Sequence, residues 1–234
     1  MKLPPIPASN QPKLRKSLSI TGLLALVRKE FEQIKEHRIK TITYQLADVL
    51  MSALAMFGLK YPSLLRLEEN RHEPTLRANL KNLYGVERAP SDTQMREILD
   101  PVAPEALRVA FRQIHRELQR QKVLEKYRYL GGYLMSVDGT GQFSSTQIQC
   151  DDCCSRVLRN GTVQYYHQLL AAVIVHPEQK TVLPLFPEAI TRSDGETPND
   201  GERNAAKRLL PARRTAFPKL KLIVLADRLA ANAP

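Results

Sequence analysis

"YLMSVDGTGQFSS", residues 133–145, starts as an apolar, β-rich run, reaches a single acid at Asp138 and goes on into glycines and small hydroxyl residues. The start predicts a strand over 133–137 that ends on the carboxylate. Burying a charge costs several kcal/mol unless it is paired or holds a metal. Asp138 therefore reads in one of two ways: as a turn-forming aspartate, since Asp-Gly favours turns, or as a ligand.

Downstream, "YYHQLLAAVIV" (165–175) and "TVLPLF" (181–186) are β-rich runs separated by Gly, Asn and Pro signals, and they predict two more strands. Thr197, Pro198 and Asp200 predict a helix start ahead of "ERNAAKRLL", with Pro211 ending or kinking the helix. "LKLIVLAD" (220–227) is near-continuously apolar, the pattern of a strand buried on both faces, and it too closes on an acid, Asp227. The order is βββαβ. A helical crossover lets the last strand lie parallel to the first, with Asp138 and Asp227 side by side at the carboxyl ends. Two such carboxylates repel unless a divalent cation neutralises them, and hard cations such as Mg2+ prefer oxygen ligands.

Upstream the texture is helical. Residues 1–16, "MKLPPIPASNQPKLRK", are rich in Pro and Lys/Arg and predict a disordered basic arm. Leu46, Val49, Leu50, Ala53, Leu54 and Phe57 mark one buried helix face. The apolar stretch at 49–59 is too short to cross a bilayer. Ser91 and Gln94 form a capping-box pattern ahead of Met95, Ile98 and Leu99. A long helix is expected over 104–126, with Leu107, Phe111, Ile114 and Leu118 buried and Arg108, Arg112, Arg116 and Arg120 recurring every four residues. The arginines read as a DNA-facing stripe or as a solvated face relieved by Glu105 and Glu117. No helix-turn-helix signature is present.

The net charge of +11 is uneven: residues 1–130 carry 23 Lys+Arg against 14 Asp+Glu, a net +9, and residues 131–234 carry 12 against 10. A polyanionic partner for the first part, most simply nucleic acid, is the expectation. The run at 20–27 is followed by Arg28, Lys29 and Glu30 with no cleavage pattern, so a cytoplasmic protein is expected. Cys150, Cys153 and Cys154 are odd in number and clustered, which argues against a disulfide framework. A zinc reading joins Cys150 and Cys153 to His167 and His176. Histidines nine apart on a strand fall on opposite faces, so free thiols are the competing reading.

Taken in order and spacing, "SVDGTGQFSS", "YYHQLLAAVIVHP", "SDGETPNDGERNAAKRLL" and "LIVLADRLAANAP" resemble the bacterial insertion-sequence transposases of the DDE type, whose catalytic fold is ribonuclease-H-like. The resemblance covers about residues 91–234, "SDTQMREILD" included, and the N-terminal helices loosely. It implies an α+β / α/β chain: an N-terminal all-helical DNA-binding region over 17–130, then an incomplete ribonuclease-H-like βββαβ domain over 131–234. It further implies Asp138 and Asp227 as the first two catalytic, metal-holding acids, Mg2+ or Mn2+ as cofactor, and cleavage and strand transfer on double-stranded DNA at transposon terminal repeats. The family's third acid has no counterpart before Pro234, and Arg228 stands where a glycine commonly follows the second aspartate. These departures imply a truncated or decayed transposase, inactive alone, and a second copy (a homo-oligomer) or full-length transposase is the expected protein partner. The competing readings are a non-catalytic DNA-binding fragment acting as a transposition inhibitor and a decayed pseudogene product.

Some residues stay open. Glu202, in the first turn of the expected helix, reads as a third metal carboxylate or as an acid placed by the helix macrodipole. Ser144 and Ser145 read as phosphate contacts or turn caps, and Lys207 and Arg208 as DNA contacts or solvated helix residues. Asp151, Asp152, Asp194 and Glu196 read as solvated loop acids.

Overall fold

A computed structural model describes residues 16–39, 42–195 and 198–226. The expected arm, residues 1–15 of it, and Thr197, Glu196, Asp227 and Arg228 lie outside the described residues. The chain divides into two compact units, Met1–Gln121 and Lys122–Pro234. The first unit is built of helices and the second combines a sheet with one long helix, which makes the chain α+β in general terms.

The first unit is helical. It comprises α1 (Ile20–Phe31), α2 (Leu46–Gly58), α3 (Leu64–Glu69), α4 (Pro74–Tyr84), α5 (Asp92–Leu99) and α6 (Arg108–Arg120). Local chemistry sets the ends. Ser19 accepts from Gly22 N–H at 3.1 Å to cap α1, Pro74 opens α4, and Gly85 closes it at φ 69°, a left-handed conformation suited to glycine. The Ser91–Gln94 capping box at α5 is present as expected. Arg28 on α1 binds Asp48 of α2 at 2.6 Å and the Tyr84 carbonyl of α4 at 3.2 Å, joining three helices beside one apolar core.

Two expectations fail in this unit. Phe57 is 71% exposed, because neighbouring helices enclose α2 from Leu46 to Ala55 and leave its last turn outside. The helix expected over 104–126 is three pieces: a 3-10 turn (Pro104–Leu107), α6, and a second 3-10 turn (Val123–Tyr127). Lys122, at φ 60°, breaks the helical path between the last two. The fully buried residues of α6 are Ala110, His115 and Glu117, whereas Leu107, Phe111, Ile114 and Leu118 are half-buried.

The second unit is built on one seven-stranded sheet: β1 (Arg128–Tyr129), β2 (Gly132–Ser145), β3 (Cys154–Val157), β4 (Val163–His176), β5 (Gln179–Pro184), β6 (Glu188–Ile190) and β7 (Leu222–Leu225), with α7 (Pro198–Ala216) before the last strand. β2 and β4 form a long antiparallel ribbon from Leu134↔Val175 to Ser145↔Tyr165, with an irregularity between Gly141 and Phe143. β3, β5 and β6 pair antiparallel to β4. β7 pairs parallel to β2, Tyr133↔Leu222 through Ser136↔Leu225, as the crossover argument requires.

Three corrections follow. The strand expected to stop at Asp138 runs to Ser145, because β4 is long enough to satisfy its backbone groups past the glycines. α7 continues through Pro211 to Ala216. The proline is exposed and removes one N–H, while Ala205, Leu209, Arg213 and Phe217, one buried line at four-residue spacing, keep both halves of the helix seated. β7 is not buried on both faces: Leu222 and Ile223 are half-buried, and Val224 and Leu225 are 46% and 41% exposed.

Candidate functional site

Asp138 lies mid-strand in β2, opposite Ala171 of β4, and is exposed. Its odd-numbered neighbours, Met135, Val137 and Gly139, pair with Ile174, Ala172 and Leu170, and all three partners are buried. Those pairs define the covered face of the sheet, and strict alternation sends the Asp138 side chain to the other face.

Glu202, in the first turn and a half of α7, reaches back to this strand. Its carboxylate occupies the place a Cβ on Gly139 would take, so the end of the Glu202 side chain lies directly over this glycine. Glu202 is thus adjacent in sequence register to Asp138 but packs on the covered face, opposite the direction of the Asp138 side chain. Leu225, the last residue of β7, pairs with Ser136. Asp227 lies outside the described residues, and Asp138 stands on its exposed face apart from Glu202. A single exposed carboxylate is an oxygen donor of the right kind but not a cage, and no catalytic step is derived through a metal there.

The basic residues divide into engaged and solvent-facing groups. Arg208 sends its guanidinium to Glu188 Oε1 at 2.9 Å, to both Asp194 carboxylate oxygens and to the Ala189 carbonyl at 2.9 Å. Its fork is committed inside the unit rather than offered to phosphate. Asp194, expected as a solvated loop acid, is instead buried, and it also accepts Thr191 N–H at 2.9 Å. Arg208 holds the Asp194 carboxyl below its ordinary range, and the two acids hold Arg208 above its own. Lys207 donates to Asn204 at 3.0 Å on the exposed side. On α6, Arg108 meets Glu105 at 3.4 Å and Arg120 meets Glu117 at 3.0 Å, while Arg116 touches Gln113 Oε1 at 3.4 Å. Arg116 is exposed and Arg112 half-buried. Ser145 caps a turn, accepting from Gln147 and Ile148 N–H at 3.1 and 2.9 Å. Asp151 and Asp152 are exposed turn residues.

The remaining cluster is sulfur and nitrogen. Cys150 and Cys153 flank the Asp151–Asp152 turn, and the side chain of His167, from β4, meets both. His176 stays away from them, edge-on to Tyr129 at 5.9 Å, as the nine-residue parity requires. The same parity left His167 eligible, and pairing it alone with Cys150 and Cys153 is the step the sequence reading missed. All three cysteines are free of disulfides, and burial pushes the Cys153 thiol up. Beside this cluster, an open groove of about 420 Å³ between β2, β3 and β4 is lined by Phe143, Arg156 and Tyr166, with Arg156 5.5 Å over the Tyr166 ring. Among the described residues no helix is long and apolar enough to cross a membrane. Neither family models, curated proteins nor solved structures give a match to this chain.

Proposed function

We propose that the chain carries part of a DDE-type insertion-sequence transposase, acting on double-stranded DNA at transposon ends with Mg2+ or Mn2+. The observation that carries the reading is the parallel pairing of β7 with β2 after a helical crossover, with Ser136 opposite Leu225. Asp138 and Asp227 each stand two residues beyond that pair, so a continued register would set them on adjacent strands. The order β5–β4–β2–β7, antiparallel except for the last pair, is in keeping with a ribonuclease-H-like sheet.

In this reading the two aspartates bind the divalent ion, which supplies charge neutralisation at the phosphate, and the basic residues of the first unit hold the DNA backbone. Glu202 is not enlisted, since it packs on the covered face. Two carboxylates hold one ion weakly, and the pair alone is expected to bind metal without turning DNA over.

The test is Mn2+ binding to the whole 234-residue chain, followed by its electron paramagnetic resonance signal, beside a cleavage assay on DNA flanking the gene. Mn2+ affinity should fall in both Asp138→Asn and Asp227→Asn. Affinity unchanged by either substitution overturns the reading. Cleavage by wild type that both substitutions abolish upholds the transposase assignment and overturns only the expected lack of turnover.

A further inference from the structure

We infer that Cys150, Cys153 and His167 form a zinc site that pins the segment between β2 and β3 onto β4. This site is separate from the carboxylates of the proposed reaction and does not depend on that reading.

The geometry is that of a coordination triangle. Cys150 Sγ and Cys153 Sγ lie 3.4 Å apart, and His167 Nε2 lies 3.3 Å from the first and 3.2 Å from the second. A disulfide brings its sulfurs to about 2.05 Å. Tetrahedral zinc, with Zn–S about 2.3 Å and Zn–N about 2.0 Å, spaces its ligand atoms roughly 3.5–3.8 Å apart. The observed triangle needs to open by a few tenths of an ångström to seat the ion.

The backbone prepares the sulfurs. Cys153 N–H donates to the Cys150 carbonyl at 3.2 Å, closing the turn, and Cys150 N–H donates to Cys153 Sγ at 3.2 Å, a contact that favours thiolate. His167 is held in β4, opposite Phe143 of β2, so its ring arrives from the rigid sheet while the cysteines arrive from a loop. Two soft sulfurs with one imidazole select zinc over Mg2+, whose preference is for oxygen. Cys150 is exposed, which leaves the fourth position to a solvent water. Binding releases one proton from each thiol to solvent.

The consequence is mechanical. The loop also meets the turn after β6, where Arg192 N–H donates to the Asp152 carbonyl at 3.4 Å, and just beyond the loop Cys154 Sγ, at the start of β3, meets the Ile190 carbonyl of β6 at 3.7 Å. A metal at the three ligands therefore ties β4, β6 and the start of β3 together at one point.

The experiment uses the purified full chain under reducing conditions, stripped with chelator and titrated with Zn2+ and, as a spectroscopic probe, Co2+. One ion should bind per chain, and Co2+ should show thiolate-to-metal charge transfer that C150S and C153S each abolish. His167→Ala should weaken affinity by roughly tenfold or more, since even the loss of an outer-shell partner costs about tenfold, while His176→Ala should not change it. Chelation should lower the thermal midpoint of wild type but not of C150S, a readout that stands even where a variant folds poorly. Absence of the charge-transfer band in wild type, or wild-type affinity retained in C150S or in H167A, overturns the proposal. So does a reduced chain that forms a Cys150–Cys153 disulfide on mild oxidation but takes up no metal.

Discussion

Asp194 shows how one side chain can organise a connection. It is 4% exposed, closes the turn after β6 through Thr191, and receives both terminal nitrogens of Arg208. Removing it leaves Glu188 as the guanidinium's remaining carboxylate. Asp194→Ala is expected to cost about 2–3 kcal/mol, below the 3–5 kcal/mol of a fully buried pair because 44% of the Arg208 side chain remains in water. Urea unfolding of the two proteins at neutral pH measures it. The sign with pH follows from a depressed carboxyl: the stabilisation is full above the ordinary value of 3.8 and is lost as pH falls through the lowered folded-state value. The gap between wild type and Asp194→Ala should therefore close only in that acid window, and a gap that closes near neutrality contradicts the pairing. A second residue-scale expectation concerns Gly139, where a methyl group would collide with the Glu202 carboxylate. Because the colliding atoms are the tip of a flexible side chain that can turn aside, Gly139→Ala should destabilise by about 1 kcal/mol, and Gly139→Ala in a Glu202→Ala background should cost less. Additive effects in that cycle show that the two do not meet.

Among the elements, α7 is the one whose sequence and structure disagree most. Pro211 sits inside a 19-residue helix, leaves the Lys207 carbonyl without its intrahelical donor, and is itself exposed. Thr215 donates its hydroxyl to the Pro211 carbonyl at 3.0 Å, and Arg213 stacks 4.0 Å over Phe186, so packing on the buried line outweighs the break. Pro211→Ala should stabilise the chain by about 1 kcal/mol or more, up to the ~3 kcal/mol that proline costs in a helix interior, and thermal unfolding checks it. A loss of stability shows that the proline is fitted to its place. The same contrast explains what was legible beforehand. "YYHQLLAAVIV" and "LKLIVLAD" could be read as strands because their β-rich, apolar runs are long, and the Ser91 cap because its chemistry is local. β3 and β6, four and three residues, exist because β4 pairs with them, and their own pattern does not call for a strand. The continuation of β2 past Asp138 has the same cause, since turn-favouring residues were overruled by a long partner. Asp138 stood out in the sequence as an acid after an apolar run, and its place within a longer strand was set by β4. The meeting of Glu202 with Gly139, of Asp194 with Arg208, and of His167 with the cysteines joins residues 14 to 63 positions apart, a distance that periodicity does not report.

At the scale of the molecule, charge follows the division into units. Met1–Gln121 carries 20 Lys+Arg against 13 Asp+Glu and Lys122–Pro234 carries 15 against 11, so the helical unit holds +7 of the +11. α6 concentrates part of it, but its four arginines are not equivalent. Arg108 and Arg120 are drawn to Glu105 and Glu117, and Glu117 is itself buried and held by Ser17 at 2.7 Å and Gln121 at 2.6 Å. Arg112 and Arg116 sit on the same helix with no acid paired to them in an ion bridge among the described contacts, so they are the pair to test against a phosphate backbone. Contacts of this kind release counterions, and the logarithm of affinity falls with the logarithm of salt at roughly 0.9 per phosphate neutralised on duplex DNA. The whole chain with Arg112→Ala and Arg116→Ala should keep the Glu105 and Glu117 contacts and its fold. It should bind duplex DNA more weakly whatever the sequence, with a salt slope shallower by about 1–2. Fluorescence anisotropy over a salt series measures both quantities. An unchanged slope, or no binding at low salt, speaks against the proposed DNA contact at α6, and a loss confined to one sequence identifies base reading in place of backbone contact.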